Sequence, residues 1–116
     1  MHKREFDSIE ERLDFIEFRQ ELNFYNLDLD RIIFEYGLTK NEFTRVMNLM
    51  DNYREKISNN EDVNNHTFEV EMYEIVDSEH EGDYHMCEAI VKGFYNEGRW
   101  EEVFTALYGD FPKYSN

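Results

Sequence analysis

The chain has 116 residues, 41% of them apolar and 16% aromatic, and its 12 Lys and Arg against 27 Asp and Glu leave a net charge of −15. This is the length of one domain, with enough apolar mass for a core, so the acidity does not imply disorder. The charge argues against direct binding to DNA, RNA or an anionic membrane surface, because phosphate must be neutralised by Lys and Arg.

The chain opens with a capping signature: Ser8 and Glu11 stand at capping-box spacing, with Asp7, Glu10 and Glu11 suited to the positive end of a helix dipole. Ile9, Leu13, Ile16 and Gln20 then follow one helical stripe, and Phe15, Phe18, Leu22 and Tyr25 an adjoining one. A helix over roughly 9–26 is expected. So wide an apolar arc suits a central helix or one shared with a second copy, which makes Phe15, Phe18, Leu22 and Tyr25 candidate residues of a homo-oligomer interface. The excess of Tyr, together with Trp100, points the same way, against ordinary core filling.

In "LDLDRIIFEYG", Leu29, Ile32, Ile33 and Tyr36 share a helical face that Gly37 stops. "GLTKNEF" carries a second capping box, Thr39 with Glu42, and places Leu38 and Phe43 at the positions of a hydrophobic staple. The helix it starts runs through Val46, Met47, Met50, Tyr53 and Ile57 to the polar loop "SNNEDVNN" (58–65), the expected hinge or insertion point. The segment 66–76 alternates as a strand would. Phe68, Met72, Ile75 and Val76 equally form a helical face, and with no partner strand in view the expectation is helix. From Tyr84 onwards the pattern is a helical hairpin: Asp83 as N-cap, Met86, Ala89, Ile90, Val91 and Phe94 on the first face, Gly98 at the turn, and Trp100, Val103, Phe104 and Leu107 on the second face. The expected fold is all-α, a small bundle of four to five helices ending in a C-terminal αα-hairpin.

With this layout the chain resembles the YhaI-like family, small all-helical proteins of Gram-positive bacteria and their phages with no characterised function. The stretches that carry it are "IEERLDFIEF", "FYNLDLDRIIFEYGLTKNEF", "NNHTFEVEMYEIV" and the closing "DYHMCEAIVKGFYNEGRWEEVFTAL". The resemblance implies an all-helical fold and self-association, and brings no active site with it.

Charge is distributed unevenly. Residues 58–116 hold three bases and fourteen acids, and no Lys or Arg occurs between Ile57 and Lys92. The densest stretch is "DSEHEGDYH" (77–85). Its His80, Asp83 and His85 are weak candidate ligands for a transition metal, at a spacing that matches no established motif. A metal-dependent enzyme or metal-binding protein built on this 80–85 cluster is the alternative reading, against a solvated acidic loop. Cys87 rules out an internal disulfide by being alone, and its place on an apolar helix face favours a buried thiol over a nucleophile. No GxSxG elbow or phosphate-binding glycine loop is present, and Gly93 suits close packing. No cofactor is expected.

The leading expectation is a non-catalytic regulatory protein in the cytoplasm that binds a protein partner with a basic surface, such as a nucleic-acid-binding protein. Glu61, Asp62, Glu69, Glu71, Glu74, Asp77, Glu79, Glu81 and Asp83 would form the anionic face, against the plainer account that such charge serves solubility. An inhibitor that mimics the charge of DNA is one form of this idea. No apolar run suggests a signal peptide or membrane span.

Overall fold

Capping chemistry divides the chain into its helices. The computed structural model describes residues 8–13, 16 and 28–110. The described part of the opening segment is helical at 9–13 and 16, and the Ser8 hydroxyl accepts from the Glu11 amide at 3.1 Å as its spacing predicts. Five helices follow: α1 (Asp28–Tyr36), α2 (Lys40–Ser58), α3 (Asn65–Ile75), α4 (Tyr84–Asn96) and α5 (Glu101–Tyr108), with a 3-10 turn at Ser78–His80. No strand occurs among the described residues. The 66–76 segment is helical up to Ile75, with Val76 as its extended C-cap, and is started by Asn64, whose side chain accepts from the Thr67 amide at 2.8 Å.

Three helices end by one device. After α1, Gly37 stands at φ 67°, with its amide bonded to the Phe34 carbonyl and the next amide, of Leu38, bonded to Ile33. After α4, Gly98 (φ 77°) and Arg99 repeat the pattern on Tyr95 and Phe94. After α2 the left-handed position falls to Asn60 (φ 60°), with Asn60 and Glu61 bonded to Ile57 and Lys56. These paired bonds satisfy the last carbonyls of each helix. The loop expected to be the chain's hinge is therefore two cap motifs set almost end to end. Only 61–63 separate them, and Val63 packs on the core.

Between α1 and α2, Thr39 and Glu42 form the complete capping box, with bonds of 2.9 and 3.0 Å, while Leu38 is buried and Phe43 packs on the core. α1 packs on α4, α2 on α3 and α5, α3 on α4, and α5 on α4. The interior they enclose holds Leu29, Ile33, Met50, Phe68, Met72 and Ile90, all fully buried. Each such side chain contributes roughly 1.5–3 kcal/mol by leaving water. Gly93 lets α1 and α4 approach closely: a Cβ there would lie 3.0 Å from Leu29 Cδ1 and 3.4 Å from Leu29 Cα.

Trp100 departs from the sequence reading. It precedes α5 instead of joining its face, in a left-handed conformation (φ 50°, ψ 41°) that costs an L residue roughly 1–2 kcal/mol. Tertiary contacts hold it there. The indole Nε1 donates to Asp51 Oδ1 at 2.9 Å, the ring meets Phe94 edge to face at 4.7 Å, and the Arg54 and Arg99 guanidiniums each lie 5.6 Å from its centre.

Candidate functional site

The acidic segment is not one uniform face. Glu61, Asp62, Glu74, Glu79 and Glu81 are exposed; Glu71, Asp77 and Asp83 are half-buried; Glu69 is buried at 8% exposure. Two of the half-buried acids serve the backbone. Asp77 accepts from the Glu79 amide at 3.0 Å to start the 3-10 turn, and Asp83 accepts from the Met86 amide at 3.1 Å as the N-cap of α4. Glu71 accepts the Tyr53 hydroxyl, which ties α3 to α2.

Glu69 corrects the sequence reading outright. It points inward, where its Oε2 accepts the Tyr108 hydroxyl at 2.7 Å. A signal for this lay in the helical pattern: at about 100° per residue, Glu69 falls within about 20° of Val76, on the flank of the buried face. Its partner was out of reach of local pattern, being 39 residues away.

Around this pair lie further polar groups of the interior. Cys87 is fully buried, Glu88 is 7% exposed, and Tyr73 packs partly buried against the core. Burial pushes the Cys87 thiol up to about 12, with the Glu69 carboxylate adding to the effect and the Tyr73 hydroxyl opposing it. At neutral pH the sulfur is a thiol, a poor nucleophile. Burial is also the main reason the Tyr73 and Tyr108 phenols are pushed well above their ordinary range; Cys87 and Glu69 add to the shift at Tyr73, and Glu69, Cys87 and Glu88 at Tyr108. The arrangement suits locked, neutral hydrogen-bond donors around a buried carboxylate.

The three weak metal candidates are dispersed among other tasks. His80 is buried at 7% exposure, with Nε2 2.6 Å from the Tyr36 carbonyl oxygen and its ring edge-on to Tyr36 at 5.6 Å. A carbonyl can only accept, so Nε2 carries the proton in this bond. His80 thereby pins the 3-10 turn to the end of α1. Asp83 is the helix cap, and His85 is exposed with its ring 4.2 Å from that of Tyr84. Among the described residues, no three His, Cys, Asp or Glu side chains assemble as a ligand set. The proposed interface residues Phe15, Phe18, Leu22 and Tyr25 lie outside the described residues. Of the described residues before them, Ile9, Leu13 and Ile16 are exposed, at 78%, 55% and 44%.

The chain matches no protein-family model, no curated protein and no solved structure. Among the described residues no helix is long and apolar enough to cross a membrane.

Proposed function

We propose that the protein is a non-catalytic interaction protein that binds a basic surface on another protein through the exposed acids around the α2–α3 loop, the end of α3 and the 3-10 turn. One observation carries the reading: Glu61, Asp62, Glu74, Glu79 and Glu81 remain exposed in a stretch that holds no Lys or Arg from 58 to 91. Exposed like charges with no basic residue among them in the sequence repel one another, a cost that a cationic partner would offset. Exposed Val70 (44%) and Tyr84 (52%) supply apolar surface within the same part of the chain. The buried, protonated Cys87 supports a non-catalytic role. With this reading go the finer expectations: a nucleic-acid-binding protein as partner, a bundle closed by α4 and α5 as an αα-hairpin, and kinship with the YhaI-like proteins.

The test is capture of a partner from a lysate of the source cells by the full chain and by an E61Q/D62N/E74Q/E79Q/E81Q variant. The native chain retains its partner at about 0.1 M salt and releases it towards 1 M, as the screening length falls from roughly 10 Å to roughly 3 Å. The neutralised variant captures nothing at either salt. Capture that survives both high salt and the five substitutions sinks the proposal.

A further inference from the structure

The last of the described helices is held differently from the other described ones. α5 has eight residues, fewer than the roughly 12–15 that an isolated helix needs to persist in water. Its N-cap position is Trp100, with no side-chain hydrogen bond to the first turn. The connection from α4 contains two left-handed residues, Gly98 at φ 77° and Trp100 at φ 50°, on either side of Arg99. A bulky residue stays in that region only where its surroundings over-determine it. Local sequence therefore does little to form α5, and docking does most.

Polar ties hold the helix at its two ends, and buried apolar side chains dock it between them. Trp100 donates to Asp51 of α2 at 2.9 Å, and Tyr108 donates to Glu69 of α3 at 2.7 Å. Between them, Val103, Phe104 and Leu107 are buried against α2 and α4. A further tie, Arg54 to Glu102 at 2.9 Å, has both side chains about half exposed and adds little. α1 is nearly as short, yet it is clamped where Leu29 meets Gly93, and its left-handed residue is a glycine.

We propose that α5 is a detachable strap, which docks and leaves as one unit about Gly98–Trp100 without global unfolding and uncovers the Glu69–Cys87 interior when it leaves. Once the indole lets go of Asp51, the Trp100 backbone relaxes out of the left-handed region and the start of the helix loses its anchor. The remaining turns are too short to persist, so release at Trp100 propagates to Tyr108. Water then reaches the Glu69 side chain and replaces the Tyr108 hydroxyl as its hydrogen-bond partner. The strap thus couples a strained hinge to a buried polar interior.

Hydrogen exchange along the full chain in low urea, read together with thiol labelling of Cys87, tests this. The amides of residues 104–109 are expected to exchange through an opening with a shallower urea dependence than those of α2 and α4, and Cys87 is expected to label at that same opening. Asp51→Ala should speed both by about tenfold, the loss of one hydrogen bond, while the α5 opening keeps its shallower urea dependence. Tyr108→Phe, at the other end, should do the same if the Asp51 variant folds poorly. The strap is ruled out if α5 amides and Cys87 in the native chain become accessible only with the urea slope of α2 and α4.

Discussion

The Glu69 carboxylate, 8% exposed and bonded to the Tyr108 hydroxyl, is the residue whose environment differs most from its sequence neighbourhood. It sits in a run of solvated acids, yet it is removed from water and depends on a donor supplied by α5. Removing one partner of such a bond leaves the other group desolvated, which costs more than the net worth of the bond itself. Tyr108→Phe keeps the ring and deletes the donor, so it should lower unfolding free energy by about 1–3 kcal/mol in urea denaturation. Adding Glu69→Gln to it should recover part of that loss, because the buried group is then neutral. An additive double mutant would mean that the two residues do not form a working pair. The sequence reading put Glu69 on the anionic face, although the helical period sets it on the flank of the buried one; nothing local could name Tyr108, because pairs 39 residues apart have no shared period.

At the scale of elements, capping was the most legible feature. Thr39 with Glu42, Asp83 as an N-cap, and Gly37 and Gly98 past helix ends all stand where local spacing placed them. These motifs are contained within a few residues, so the sequence carries both partners. Contacts between helices are another matter. Gly93 looked like a packing glycine, but its counterpart, Leu29, lies in a helix 64 residues earlier in the chain, and only the fold brings them so close that a Cβ on Gly93 would lie 3.0 Å from Leu29 Cδ1. Gly93→Ala gains about 1 kcal/mol in helix propensity and loses about 1–3 kcal/mol to overpacking. The net expectation is a loss of up to about 2 kcal/mol by thermal or urea unfolding. Leu29→Ala on the same background should cost less than it does in the native chain, since it removes the atoms in the way.

For the whole molecule, the strongest consequence concerns alkaline pH. The Cys87 thiol and the Tyr53, Tyr73 and Tyr108 phenols are all held above their ordinary values, in each case chiefly by burial. A raised native value means that the unfolded chain releases these protons first, so stability is complete below the unfolded values and falls as pH rises through them. The loss should begin near pH 8.5 with the thiol and steepen above about pH 10 with the phenols. Phenolate absorbance should show these tyrosines ionising together with loss of helical circular dichroism. Smooth independent titration of every tyrosine, with the helices intact, would contradict the burial described above. What the sequence determined by itself was of short range: helix periods, the caps at Thr39, Asp83, Gly37 and Gly98, an all-helical class and a charge of −15. The tertiary structure alone decided which of the acids meet solvent and which are enclosed with tyrosines, why His80 serves the end of α1 instead of a metal set, and how Trp100 is held left-handed by Asp51. Those outcomes depend on groups brought together by packing from 39 to 49 residues apart, and at that separation burial, not composition, sets what a charged side chain does.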